Sequence, residues 1–462
     1  MDELIPGPGL PGRVHVVCSE IPPDVVGGLG RYAERMMDAL RGGGVPVTVY
    51  GTARRGRSPR IERRGDVTLH RLATASSDHA RNSRTPQVLR RAAKIAGLLA
   101  FNVRVAGRIL RAEAGRSRAA RSGHGRSGTE QSGAGRSGAG RSGTGRSGAV
   151  VAVHDWMGAP AGILCRLLGR LPVVFHVHTR ELNAAPSGAR SLLAACLDAV
   201  ETAQARLADL IIVPSAGVRE DLAARGWPGE RLRVLPHGFE EPELLRLAAL
   251  PGDERAHVAS RVRSRYLPGG EGRLVVFAGR LSPHKGVHTL IRAVPRLVRR
   301  YGDLRVVIIG AQLPQTDDNA VVARLIEEAG VGGHVVAEYR FLDPAELFAH
   351  FLAADVCVFP SVYEPFGLVA VEAMALARPV LVGPGYSPEV VGDGALRCAR
   401  DCPEELSAAL SRCLDDPAEA ARLAARGAAY VRERYSWFRT AEQTLAAYAE
   451  AARRPPGAGA AR

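Results

Sequence analysis

The sequence predicts an α/β protein built from two open parallel-sheet domains in series. Three observations carry that expectation. Short, fully apolar runs of strand length alternate with amphipathic helical patterns along most of the chain. Several of these runs lead straight into a glycine-containing turn and then a helix, as parallel strands do. The chain has 462 residues, 46% of them hydrophobic, which is enough for two or three separate cores.

The first unit begins after a Pro/Gly-rich start. Arg13-Val14-His15-Val16-Val17-Cys18 reads as a buried strand, and Val25-Val26-Gly27-Gly28-Leu29-Gly30 as a glycine-rich turn. A helix follows over residues 31–40 and ends at Gly42-Gly43-Gly44, before a strand over residues 45–50. Residues 87–112 form a long helical pattern. Leu89, Ala93, Ala96, Ala100, Val103 and Leu110 share one face there, with Arg90, Lys94, Arg104, Arg108 and Arg111 beside it. The pattern reads as a helix packed on a sheet with a solvated basic flank. The same flank offers peripheral contact with a membrane surface.

Residues 115–148 hold a Gly-Arg-Ser-Gly repeat without large apolar side chains, and disorder is expected there. The net charge is +15; seven arginines and one glutamate place six of those charges in this segment. Arg-Gly segments bind nucleic acid, but this one has no interleaved aromatics and interrupts an α/β domain, so it reads as an expanded surface loop. Strands resume at Val150–Val153, Val173–Val177, Leu210–Val213 and Arg233–Leu235. Pro236-His237-Gly238-Phe239 reads as the exit from the first domain. The second series has strands near Leu274–Phe277, Arg305–Ile309, Val335–Ala337, Val356–Phe359 and Val380–Val382. The expected units are residues 1–240, 241–435, and a last helix over 436–453 opening at Ser436-Trp437.

The seven cysteines are scattered without a CxxC pair and read as reduced core residues. The start of the chain has no basic-then-apolar leader, and no uncharged run approaches the roughly 20 residues of a membrane span, so a cytoplasmic protein is expected.

The chemistry gathers in two segments of the second unit. In Ser361-Val362-Tyr363-Glu364-Pro365-Phe366-Gly367-Leu368, a strand ends, a turn follows and a helix begins, so free backbone N–H groups face an open cleft. Glu372 lies eight residues beyond Glu364, about two helical turns on and near the same face. The second segment is Gly279-Arg280-Leu281-Ser282-Pro283-His284-Lys285-Gly286. It places a guanidinium and an ammonium beside one turn, suited to phosphate oxygens.

Together these segments resemble the Glu-x7-Glu and Gly-Arg-Leu-x3-Lys-Gly motifs of the family 4 retaining glycosyltransferases. That resemblance covers nearly the whole chain outside the tails and residues 115–148. It implies the GT-B fold, with two Rossmann-like domains facing across a cleft. It further implies transfer of a hexosyl group from a nucleotide sugar, linked to UDP, GDP or ADP, to an acceptor hydroxyl. The acceptor classes left open are a small molecule, an envelope glycan and an α-glucan. No other cofactor and no metal is implied. By the same resemblance Arg280 and Lys285 hold the diphosphate and Glu364 contacts the sugar. The backbone of Phe366, Gly367 and Leu368 supports sugar and phosphate, and Glu372 bonds the ribose. Gly27, Gly28 and Gly30 form the phosphate or acceptor loop, and His178 faces the transferred sugar.

His154-Asp155-Trp156 and Pro22–Gly30 are similar to segments of glycogen- and starch-synthase-like members, but Val25 and Val26 stand where those members carry a lysine. Two further departures are Arg340 at a strand turn that is often glycine and Gly383–Glu389 in place of Thr-x-x-Gly-Gly. The chain contains no Asp-x-Asp pair to hold a divalent ion, which suits a site that neutralises diphosphate with cations and helix N-termini. Four alternatives accompany this reading. They are an epimerase or a phosphorylase on the same fold, a nucleic-acid-binding protein acting through the Arg-Ser-Gly segment, and a His176/His178 metal pair, for which the sequence shows no third ligand.

Overall fold

The computed structural model describes residues 10–21, 28–41, 44–53, 60–73, 87–123, 148–180, 192–269, 271–310 and 317–454. In the first unit, β1 (Arg13–Val17), α1 (Gly28–Ala39), β2 (Val47–Thr52), β3 (Arg60–Arg64) and β4 (Val67–Leu72) come first. Next come α2 (Gln87–Gly123), β5 (Ala149–His154), α3 (Asp155–Gly169), β6 (Val173–His176), α4 (Leu192–Leu207), β7 (Leu210–Val213), α5 (Ala216–Ala224) and β8 (Leu232–Val234). They build an eight-stranded sheet in the order β3-β4-β2-β1-β5-β6-β7-β8, parallel except for the β3–β4 hairpin. The hairpin was not legible in the sequence. β3 reads Arg-Ile-Glu-Arg-Arg, with four of its five residues exposed, so no apolar run marks it.

The second unit contains α6 (Pro242–Ala249), α7 (Gly252–Tyr266), β9 (Arg273–Ala278), α8 (Val287–Arg300), β10 (Leu304–Ile309), α9 (Asp318–Glu328) and β11 (Val335–Glu338). It continues with α10 (Pro344–Ala353), β12 (Val356–Phe359), α11 (Leu368–Ala375), β13 (Val380–Val382), α12 (Pro388–Val391), β14 (Leu396–Arg397), α13 (Pro403–Asp415) and α14 (Pro417–Arg434). Its six strands are all parallel, in the order β11-β10-β9-β12-β13-β14. Each sheet has an apolar cluster on both faces, as buried parallel sheets require.

The last helix, α15 (Trp437–Arg453), returns to the first sheet. Trp437, Leu445 and Tyr448 join the core of Val14, Val47 and Tyr32, and Ser436 caps the helix by accepting a hydrogen bond from Phe438 N–H. Trp437 N–H also donates to Glu240, at the end of the first unit, at 2.8 Å.

Helix α2 departs from the sequence reading twice. It runs to Gly123, so residues 115–123 are helical rather than disordered, and the rest of the expected loop, 124–147, lies outside the described residues. Ala and Arg are strong helix formers, and they carry the helix past the end of the sheet. Its buried face is also not the expected one. Phe101, Val105, Ala106 and Ile109 are buried, whereas Ala96 and Ala100 are exposed and Val103 is 60% exposed. The helix presents two apolar stripes, and the larger Phe and Ile side chains win the sheet. Asn102 fixes the register by donating to Met157 O and accepting from Ala161 N–H. Among the described residues, no helix is long and apolar enough to cross a membrane. Five of the seven cysteines are buried; Cys196 is exposed and Cys402 half-buried.

Candidate active site

The C-terminal ends of both sheets face one cleft of about 570 Å³, lined by residues of both units. On the second-domain wall, β9 ends at Ala278 and the chain turns through Arg280 into a short 3₁₀ turn, Pro283–Lys285. Gly286 then takes a left-handed conformation (φ 73°) to start α8, and a Cβ there would collide with the Pro360 carbonyl. That close approach brings the Arg280–Lys285 turn onto the turn after β12, where Val362 N–H donates to His284 O at 2.9 Å. Lys285 Nζ then reaches Glu364 Oε2 at 2.7 Å, and Ser361 Oγ donates to the same oxygen at 3.0 Å. Arg280 lines the cleft without a hydrogen bond or ion pair to the described residues.

Glu364 sits before α11, not on it. Its N–H bonds Gly385 O at 3.3 Å. Gly367, at φ 89°, turns the chain into α11, and its missing Cβ makes room for the ring of buried Tyr386. Phe366 packs under the turn against His237, 5.0 Å between ring centres, and Tyr435 at 5.2 Å. The first N–H groups of α11, at Leu368 and Val369, lie on the cleft wall.

Glu372 does not share a face with Glu364 in the cleft. It is buried and held by a different cation, Arg31 of α1, which hydrogen-bonds Glu372 Oε1 and lies 3.4 Å from Glu241. Burial pushes the Glu372 carboxyl up to about 7, although Arg31 pulls it down. Gly28 and Gly30 belong to the first turn of α1, while Gly27 lies outside the described residues.

On the first-domain wall, His178 stands two residues beyond β6. Asp155 Oδ1 accepts its backbone N–H at 2.7 Å, and its Nε2 lies 3.0 Å from His154 Nδ1. His154 stacks on His176 at 4.3 Å, and Tyr448 Oη meets His176 Nε2 at 2.9 Å. The third ligand that the sequence did not show is therefore present. His154, His176 and His178 offer nitrogens within 4.8 Å of one another. His154 Nδ1 and His178 Nε2 already meet each other, His176 Nε2 meets Tyr448, and the three rings lie nearly parallel. Burial pushes the His178 imidazole down to about 3, and lowers His154, His176 and His237 well below the usual histidine value.

Sequence reasoning missed Arg31, Glu241 and His237, all on the cleft wall. Arg31 directly follows the glycine turn and His237 sits in the domain exit, which were the available signals. The two departures from the motif pattern land differently. Arg340 points to the surface, where it pairs with Glu346 at 2.6 Å. Gly383–Glu389 spans the domains: Glu389 Oε1 accepts from Ala216 N–H at 2.6 Å and Ser387 Oγ from Gly217 N–H at 2.9 Å. The C-domain thus caps the N-terminus of α5.

Two parallel-sheet α/β domains with a cationic, carboxylate-bearing cleft between their strand ends define the GT-B class, and the chain belongs to the glycosyltransferases of group 1. Residues 260–430 match the family model described as Glycosyl transferases group 1, and residues 27–238 the Glycosyl transferase 4-like domain. A glycogen synthase of Mycobacterium tuberculosis is 27% identical over 96% of this chain and 95% of its own. A D-inositol 3-phosphate glycosyltransferase of Corynebacterium glutamicum is 32% identical over 64% of this chain and 71% of its own. The sucrose-phosphate synthase structure from Thermosynechococcus elongatus superposes with a TM-score of 0.65, at 22% identity, covering 94% of this chain and 97% of that one. The protein is accordingly a glycosyltransferase acting on a nucleotide sugar.

Proposed function

We propose that the protein transfers a hexosyl group from a nucleoside-diphosphate sugar to an acceptor hydroxyl with retention of configuration. The observation that carries this reading is the Lys285–Glu364 pair at 2.7 Å beside Arg280, which has no partner among the described residues, all on one wall of the cleft.

The donor lies along the second domain. Its diphosphate is met by Arg280, Lys285 and the first N–H groups of α11 around Phe366, Gly367 and Leu368. Glu372 takes the ribose hydroxyls and Glu364 the sugar. Departure of the nucleoside diphosphate builds charge on the β-phosphate, and these fixed cations and dipoles stabilise that charge most at the transition state. That arrangement works without a divalent ion. The acceptor enters along α1, past Gly28 and Gly30, and meets the sugar near His178. A neutral imidazole suits that position, since it offers a hydrogen bond without repelling the charge-deficient sugar carbon. The acceptor oxygen attacks from the face that the leaving group vacates. Closure of the two walls excludes water and limits donor hydrolysis.

The test is nucleotide release from a panel of UDP-, GDP- and ADP-sugars, with Glu364→Ala as control. Release from one donor that disappears in the variant supports transferase chemistry at this cleft; equal release from both proteins removes Glu364 from the reaction. Dependence of release on added acceptor separates transfer from epimerisation.

A further inference from the structure

The contact between the two cleft walls centres on Arg31. Its guanidinium Nη2 holds Glu372 Oε1 and lies 3.4 Å from Glu241 Oε1, while Arg35, one turn further along α1, holds Glu241 through Nε at 3.1 Å and again through Nη2. The pair joins residues 341 positions apart, one from each domain. Arg31 lines the cleft. Glu372 is 1% exposed, and its second oxygen, Oε2, has no partner among the described residues. The Tyr386 hydroxyl, buried and likewise unpartnered among them, lies within electrostatic reach of both Glu364 and Glu372.

A buried carboxylate is costly unless a cation and hydrogen bonds compensate it. Among the charged groups that act on Glu372, Arg31 and Arg35 of α1 favour its ionised form, while Glu241 before α6 opposes it. Tyr386, from the turn after β13, stays protonated because burial and the two carboxylates raise it. Arg31 is the largest favourable influence. With Oε1 taken by Arg31, Oε2 is the oxygen of Glu372 left without a partner among the described residues.

We infer that Arg31 is a positioning residue for ribose recognition: the first domain supplies the cation through which Glu372 of the second domain reads a ribose diol. The inference rests on the assignment of Glu372 to the donor ribose. It means that the ribose-binding carboxylate is complete only when α1 is seated against α11, so sugar-nucleotide recognition shares one ion pair with domain closure. A hydroxyl bonded to an ionised carboxylate is held about twice as strongly as one bonded to a neutral acceptor.

The experiment measures dissociation constants of UDP and 2′-deoxy-UDP by calorimetry at pH 7 and pH 9, with the ADP and GDP pairs run alongside in case the base differs. The proteins are the wild type, Arg31→Met, Arg31→Lys and Glu372→Gln. The wild type is expected to prefer the ribonucleotide by roughly tenfold or more at both pH values. Arg31→Met loses that preference at pH 7 and recovers part of it at pH 9, as Glu372 ionises unaided. Arg31→Lys keeps most of it. The preference is a ratio within one protein, so partial unfolding of a variant cancels. An Arg31→Met protein with the wild-type ratio at pH 7, or one that binds both nucleotides more tightly at an unchanged ratio, overturns the inference; the second result would make Arg31 a plug over an empty site. A wild type with no ribose preference overturns the assignment of Glu372 itself, and loss of preference in Glu372→Gln alone leaves that assignment standing while refuting the role of Arg31.

Discussion

Lowering the pH from 7 to 5.5 should destabilise the first domain through its buried histidines. His154, His176, His178 and His237 all have their protonated forms disfavoured, first by burial. His178 is pushed to about 3, so these rings stay neutral in the folded chain at pH 5.5. In the unfolded chain each titrates near 6.5. The unfolded state therefore binds more protons below that value, and stability falls as pH falls. The contribution is fully present above about 6.5 and is lost progressively on the way down to the folded values. For His178 the cost is about 1.3 kcal/mol between pH 7 and 5.5, and His154, His176 and His237 add to it in the same direction. Glu372 works in the opposite direction. Its folded value of about 7 lies above the unfolded one, so protonation on acidification returns about 1.6 kcal/mol. Glu372 belongs to the second domain, so its gain does not offset the histidine loss in the first, and that loss is a sizeable part of the ~5–15 kcal/mol that stabilises a typical domain. All three tryptophans, Trp156, Trp227 and Trp437, belong to the first domain or to the helix packed on it, so their fluorescence in urea reports this unit. His154→Gln should flatten the pH dependence by about one proton. A stability change below about 1 kcal/mol over the interval would mean that the cluster is hydrated or charged in the native protein, and the reasoning would fail.

Four other outcomes are expected. Glu364→Ala should lower donor turnover by roughly 100-fold or more while leaving the urea midpoint of the first domain close to wild type, since the residue belongs to the second-domain wall. Lys285→Ala should weaken binding of the nucleoside diphosphate more than that of the nucleoside, because the lost charge is the one proposed to meet phosphate; equal losses for both would place Lys285 away from the diphosphate. Gly286→Ala should destabilise by about 3 kcal/mol or more in denaturant titrations, because the new Cβ meets the Pro360 carbonyl from a left-handed backbone. Ser387→Ala with Glu389→Gln should raise the ratio of donor hydrolysis to transfer, since both bonds to α5 hold the walls together; an unchanged ratio would show that this clasp does not control water entry.

What the sequence made legible follows from how local each signal is. Both parallel sheets could be read because a strand buried on two faces has to be an unbroken apolar run, as in Val150–Val153 and Val306–Ile309. The β3–β4 hairpin at the sheet edge has one polar strand and left no such mark. On α2 two apolar stripes compete, and side-chain volume against the neighbouring helix α3 decides between them, which no period reveals. The second-domain wall was legible because Arg280, Lys285 and Glu364 each sit within a few residues of a turn whose geometry the local sequence sets. Their meeting required only that two adjacent strands, β9 and β12, end side by side. The cross-domain contacts had no such local source. Nothing local in the sequence ties Arg31 to Glu372, or Glu389 to the N-terminus of α5 in the other domain. Both contacts join the two walls rather than either wall to itself. Arg31 and Glu389, which join the walls, were therefore concealed, whereas Arg280, Lys285 and Glu364, which share one wall, were displayed.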